Sequence, residues 1–179
     1  MKTIRSIIAL ALLAVISCSC IKEKLEMTYN KQEDSIDKYI SSNKKDGMTV
    51  AYNGGAARLT LVRGEGEELK EGGAVGFYYA GYIFNNNINS ANLFATNHEE
   101  TATAAKWALT DPDYALLEID LEDGRLLEGV RNGLTGVKAG EECEILFSGK
   151  YGFGNSTFGM IPAKSALAFK IWVVSVSNE

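Results

Sequence analysis

The sequence predicts an α+β fold, a curved antiparallel sheet wrapped over one short apolar helix. Three observations carry this. Several segments alternate apolar and polar residues with a period of two, the last of them through Leu167, Phe169, Ile171 and Val173. Clusters of Gly and Asn, such as Asn53-Gly54-Gly55, punctuate these segments as turns. One stretch, Leu126, Leu127, Val130 and Leu134, repeats at helical spacing and makes a single apolar face. Strands in a roughly antiparallel order around one helix belong to the α+β class.

The elements follow in order. Ile36, Tyr39 and Ile40 repeat at helical spacing within an otherwise charged segment, so a short helix is expected over roughly 31–42. Met48 to Tyr52 is a short β run, and Ala57 to Arg63 is a second with Leu59 and Leu61 alternating. Ala74 to Phe84 is a long strand with Val75, Phe77, Tyr79 and Ile83 on one face. Its other face carries Tyr78, Tyr82 and Phe84, which implies cover on both sides for part of its length. Asn85 to Asp113 reads as irregular, with one short helix over Thr101 to Leu109. Tyr114 to Leu121 is a strand ended by Gly124, the apolar helix follows, and Gly136 stops it. Glu142 to Ser148 and Ala166 to Val176 are the last two strands.

The chain has 179 residues, 46% of them hydrophobic, and a net charge of −5. That suits one globular domain. An acidic domain without a Lys/Arg cluster is a poor partner for nucleic acid. Cys143 stands alone in the domain and alternates with Ile145 and Phe147, so it reads as a buried apolar thiol. His98 is the single histidine, which excludes a histidine-rich metal centre; a surface loop residue is the expectation. Asp111, Asp113, Glu118, Asp120, Glu122 and Asp123 lack the spacing of a calcium loop and read as a solvated acidic edge. No metal or other cofactor is implied.

The amino terminus is a separate matter. Lys2 and Arg5 precede an unbroken apolar run from Ile7 to Ile16, too short for a bilayer crossing of ~20 residues. A charged start, a short apolar run and small residues read as an export signal. Here the small residues end in Val15-Ile16-Ser17-Cys18, which resembles a bacterial lipoprotein signal over residues 1–17, cut before a cysteine that then carries lipid. Cys18 is preferred because Val15 stands three positions earlier; Cys20 is the second candidate, and an ordinary secretory signal is the alternative. Loss of Lys2 and Arg5, with no acid lost, would take the net charge from −5 to −7. The resemblance implies residues 18–47 as a lipidated tether, residues 48–179 as the domain, and a place in the cell envelope on the outer membrane, facing periplasm or surface.

Motifs in the carboxyl half are specific. Gly129 to Glu142 reads Gly-Val-Arg-Asn-Gly-Leu-Thr-Gly-Val-Lys-Ala-Gly-Glu-Glu; Lys150-Tyr-Gly-Phe-Gly follows; Met160-Ile-Pro then leads to Leu167-Ala-Phe169. With Phe77-Tyr78-Tyr79-Ala80-Gly81 in the first half, this order resembles the FKBP family of peptidyl-prolyl cis/trans isomerases, over about Ala57 to Ser177. The resemblance implies a half-barrel sheet and a rotamase slot for proline-containing segments, here of exported proteins. It implies Tyr79, Phe94, Phe153, Ile161 and Phe169 as the catalytic walls, with Leu117, Ile119, Leu126, Leu127, Val130 and Met160 contacting substrate. Three positions depart from the family pattern. Ala95 replaces an aspartate, Val130 a helix tryptophan that floors the pocket, and Phe153 a tyrosine that offers a hydroxyl. The segment between Phe94 and Leu117 is also longer than the family's usual connection. Two functions therefore stand open: a weak isomerase, or a peptide-binding or scaffold module on the same fold.

Overall fold

The computed structural model describes residues 2–108 and 110–178, the side chains of residues 2–21, 111 and 112 excepted. The expected signal over 1–17 and the candidate acylation sites Cys18 and Cys20 therefore fall outside the described side chains. Seven strands form one antiparallel sheet: β1 (Thr49–Asn53), β2 (Ala56–Val62), β3 (Ala74–Ile83), β4 (Leu93–Thr96), β5 (Leu117–Asp120), β6 (Glu142–Phe147) and β7 (Leu167–Ser177). Their order is β1-β2-β6-β7-β3-β4, and β5 also pairs with β3. Among the described residues three α-helices accompany them, α1 (Lys2–Asn43), α2 (Glu99–Ala104) and α3 (Glu128–Leu134), with three short 3-10 turns in the loops. The sheet is the curved antiparallel one expected from the sequence together with the family resemblance.

Its concave face packs on α3. Val75, Phe77, Ile145, Phe147, Leu167, Ile171 and Val173 from the sheet meet Val130 and Leu134 from the helix. Leu134, Ile145, Phe147, Leu167 and Ile171 are wholly buried. Cys143 lies in this core too, and burial pushes its thiol pKa up, as expected for an inert cysteine. The helix is two residues shorter than its apolar period. Leu126 and Leu127 lead into it, Leu127 as the N-cap residue, so the period runs on into extended chain. At the other end Arg58 closes the helix: its Nη1 donates to the carbonyls of Gly133 at 2.9 Å and Thr135 at 2.7 Å. These are the carbonyls a helix leaves without internal partners. Glu141 sits 3.3 Å from Arg58 Nε and accepts a bond from Thr60, so the buried guanidinium is paired. Gly136 has φ of 82°, the left-handed stop that glycine tolerates.

The convex face is covered by two elements. Helix α1 is far longer than the 31–42 stretch its periodicity suggests, and Tyr29, Ile36, Tyr39 and Ile40 are all buried. Ile36, Tyr39 and Ile40 pack on Ala57, Leu146, Phe84, Ala166 and Ala168. Tyr39 meets Phe84 edge-on at 5.4 Å and donates its hydroxyl to buried Glu144 at 2.9 Å. Lys170 faces the same carboxylate at 3.5 Å. Beside α1, the 85–113 segment lays Ile88, Leu93, Ala105 and Trp107 against Ala80, Tyr82 and Trp172. This explains why β3 is apolar on both faces. The segment also contributes β4, a strand the alternation does not reveal, and its helix spans Glu99–Ala104 instead of 101–109. His98 is not a plain loop residue: its ring stacks on Trp172 at 3.8 Å and its Nδ1 lies 3.0 Å from the Thr101 hydroxyl.

Candidate active site

Side chains of alternate residues in a strand share one face. Tyr79 on β3 and Phe169 on β7 therefore both point into the concave side, where their ring centroids lie 6.4 Å apart. Phe94, from β4 across the other edge of β3, meets Phe169 edge-on at 5.7 Å. Gly81 makes that approach possible. A Cβ there would stand 2.7 Å from Phe94 Cζ and 2.9 Å from Phe169 Cε1. Phe94 and Phe169 thus meet over a position with no side chain.

Around them stand Leu117 and Ile119 on β5, Leu126, Leu127 and Val130 at the start of α3, and Phe153 and Ile161 from the loop before β7. Ile119, Val130, Ile161 and Phe169 are buried. Tyr79, Phe94, Leu117, Leu126, Leu127 and Phe153 are half-buried and pack on that base. Among the residues expected at the site, Met160 alone stands outside the cluster and is 62% exposed. Phe153 stacks on Phe158, centroids 4.6 Å apart, and Phe158 is itself 61% exposed. A separate cavity of about 270 Å³, lined by Glu33, Ile36, Asp37, Tyr52 and the Gly54-Gly55 turn, lies between α1 and the β1–β2 hairpin, away from these rings.

The surface so formed is apolar, with one titratable group. Burial raises the pKa of the Tyr79 phenol, and no side-chain partner contributes, so it remains a protonated donor at neutral pH. No charge stands at the departing positions: Ala95 is opposite Gly81 in the β3–β4 ladder, and Phe153 carries no hydroxyl.

Two contributors were not singled out from sequence. Phe147, expected only as core, lies stacked under Phe169 at 5.9 Å, and a Cβ on Gly129 would run into its ring. An aromatic ring thus does stand beneath the cluster, from β6 and not from α3. Asn97 is 5% exposed and laces the Tyr79 strand in place. Its Oδ1 accepts from the Tyr79 amide at 2.6 Å, its Nδ2 donates to the Ala115 carbonyl at 2.9 Å, and its own amide donates to the Tyr79 carbonyl at 3.2 Å. A lone Asn in a polar stretch gives no sequence signal of this. Phe147 had one: the shared alternation with Cys143 and Ile145.

Comparison with known proteins agrees with this geometry. The family model for FKBP-type peptidyl-prolyl cis-trans isomerase matches residues 65–174. FK506-binding protein 1 of Aspergillus oryzae is 22% identical over 123 residues, which cover 69% of this chain and 99% of that protein. FK506-binding protein 4 of Candida glabrata is 29% identical over 133 residues, 74% of this chain but only 29% of the relative, so the similarity to that longer protein concerns one part of it. Among solved structures, a peptidyl-prolyl cis-trans isomerase from Pseudomonas syringae superposes with a TM-score of 0.59 at 16% identity, covering 86% of this chain and 96% of that one. FkpA from Escherichia coli superposes with a TM-score of 0.57 at 18% identity, covering 95% and 70%. The matched segment spans β3 through most of β7 and so includes every ring of the cluster: the chain belongs to the FKBP-type peptidyl-prolyl cis-trans isomerase family.

Proposed function

We propose that the domain is a weak peptidyl-prolyl isomerase, held at the cell envelope by acylation of Cys18, that acts on proline-containing segments of exported proteins. The observation that supports the catalytic part is that Tyr79, Phe94, Phe153, Ile161 and Phe169, with the aliphatic residues of β5 and α3, belong to one apolar cluster in which Tyr79 and Phe94 meet Phe169 ring to ring. Rotation about an X-Pro bond faces a barrier of ~18–20 kcal/mol and needs no nucleophile or metal. Twisting the amide ends its resonance and lowers the polarity of the carbonyl. A dry apolar wall therefore disfavours the planar ground state relative to the twisted one. In this reading Tyr79, Phe94, Phe153, Ile161 and Phe169 wall the proline ring, Leu117, Ile119, Leu126, Leu127 and Val130 contact its flanks, and Met160 forms the outer lip. The protonated Tyr79 phenol is a donor among these walls.

Anchoring rests on the Val15-Ile16-Ser17-Cys18 sequence. Helix α1 continues from there to Tyr29, the first buried residue among its described side chains, a rise of about 16 Å that would hold the domain clear of lipid headgroups. Two or more acyl chains, at ~0.8 kcal/mol per buried methylene, hold such a domain without a spanning helix.

A second reading is favoured by Ala95, Val130 and Phe153 together: a peptide-binding or scaffold module that holds proline segments without turning them over. One experiment separates the two. The mature chain, made without acylation, is assayed for cis/trans exchange of a short X-Pro peptide. Measurable acceleration supports the isomerase. Saturable peptide binding with no acceleration supports the module.

A further inference from the structure

The loop from Ser148 to Ser165 carries Phe153, Phe158 and Ile161 and returns on itself. Its two ends touch: a Cβ on Gly149 would stand 2.6 Å from the carbonyl carbon of Lys164. Lys164 adopts φ of 63°, left-handed for a residue with a side chain, and its amide donates to the Gly154 carbonyl at 2.6 Å. A non-glycine residue stays in that region only where its surroundings hold it.

What holds it comes from α1. Gln32 Nε2 donates to the Lys164 carbonyl at 2.6 Å, and Gln32 Oε1 accepts the Gly149 amide at 2.9 Å. Next to it, Glu33 accepts from the Ser148 hydroxyl at 3.1 Å. One primary amide thus clasps both ends of the loop, using its donor on one and its acceptor on the other. The two partners fix which way the amide points, since a carbonyl must face its NH2 and an N–H must face its oxygen. The clasp sits on a rigid support, because Tyr29 and Ile36, on either side of Gln32, are buried.

We propose that Gln32 is a positioning residue for the slot: it fixes the closed form of the 148–165 loop and thereby the placement of Phe153 and Ile161. The proposal rests on the isomerase reading for its kinetic consequence, and on the clasp geometry alone for its structural one. Gln32→Glu is the sharp variant. It keeps the acceptor for Gly149 and removes the donor for Lys164. Gln32→Met keeps the length and removes both.

The test is amide hydrogen exchange on the full chain, together with peptide kinetics. In Gln32→Glu the Gly149 amide keeps its acceptor and should stay protected, while the Lys164 carbonyl loses its donor. The Lys164 amide, which donates to the Gly154 carbonyl, should then exchange at least tenfold faster because the left-handed residue is no longer held. In Gln32→Met both should open. Protection of the β6 and β7 amides should be unchanged in each. KM for the X-Pro peptide should rise several-fold, with a smaller change in kcat, and Gln32→Asn should not restore it because its amide is one methylene short. Unchanged Gly149 exchange in Gln32→Met overturns the clasp, since that amide is the one Gln32 holds directly. So does an even loss of protection across the sheet, which would make Gln32 a stability residue only. If the wild-type chain proves inactive, the isomerase reading fails, and the exchange data still decide the clasp.

Discussion

The ring of Phe147 lies parallel to that of Phe169, with centroids 5.9 Å apart and planes 12° apart. The two are diagonal neighbours across the β6–β7 ladder, in which Phe169 pairs with Ile145 and Phe147 with Leu167. Gly129 leaves the space that the Phe147 ring fills. The aromatic floor that the family pattern draws from the helix is here replaced by a ring from the sheet. Truncating Phe147 to Ala should cost ~3–5 kcal/mol in denaturant unfolding. The milder Phe147→Leu should leave the domain folded and still lower kcat/KM, because Phe169 loses the ring beneath it. An unaltered kcat/KM in Phe147→Leu would show that Phe169 keeps its place unaided.

The same geometry bears on position 130. Val130 is 5% exposed in the cluster that holds Phe147, and the preceding Gly129 has no room for even a Cβ beside that ring. Val130→Trp should therefore overpack the site and destabilise the domain by ~1–3 kcal/mol. Pairing it with Phe147→Val should recover much of the loss. Unfolding of the two single variants and the double variant gives the coupling, and strict additivity would mean the two side chains do not compete for one volume.

Leu134 and Leu127 make a second contrast. Leu134 is wholly buried, whereas Leu127 is a half-buried N-cap residue. Leu134→Ala should cost ~2–5 kcal/mol, and Leu127→Ala clearly less. Equal losses in urea unfolding would place Leu127 inside the helix interior after all.

This contrast shows what the sequence could and could not say. The apolar period through 126, 127, 130 and 134 marks the helix but not its first turn, because an extended N-cap segment can bury one face as well as a helix can. The alternation of β2, β3, β6 and β7 was legible because each has one face in the core. Strand β4 was not, since four residues are too few for a period to register. The length of α1 and the burial of Tyr29 were hidden by charges on its outer side. The cluster of rings was legible only through the family motifs. The polar ties of Asn97 and Gln32 leave no pattern at all, because a single amide gains its role from backbone that arrives from distant sequence.

Alkaline pH should unfold the domain earlier than it unfolds an ordinary one. Burial raises the phenols of Tyr39, Tyr79 and Tyr82, and the Glu144 carboxylate adds to the first and the last. The folded state keeps protons that the unfolded chain releases above about pH 10. It therefore binds more protons there, and stability falls as pH rises. The urea midpoint should be level from neutrality to about pH 8, begin to fall as the unfolded Cys143 thiol ionises, and decline more steeply above about pH 10. Tyr39→Phe should reduce the slope of that decline. A midpoint that holds steady to pH 11 would contradict the burial of these phenols.

The last prediction concerns the chemistry. Phe153 is half-buried against the cluster and stacked on Phe158, so its ring is held while its para position is free of any hydroxyl. Phe153→Tyr keeps the ring and adds a donor. A hydrogen bond is worth ~0.5–1.5 kcal/mol net, which at 1.36 kcal/mol per decade is about two- to tenfold in rate if it is made mainly in the twisted state. Ala95→Asp, opposite Gly81 at the edge of the same wall, supplies the absent carboxylate and should add to the gain by giving the wall a charged partner. The expected result on an X-Pro peptide is higher kcat/KM for Phe153→Tyr, and higher again for the pair, with unchanged unfolding midpoints. Tighter peptide binding without faster exchange would assign the added hydroxyl to ground-state recognition, and the domain would then be a module that holds proline segments and does not turn them.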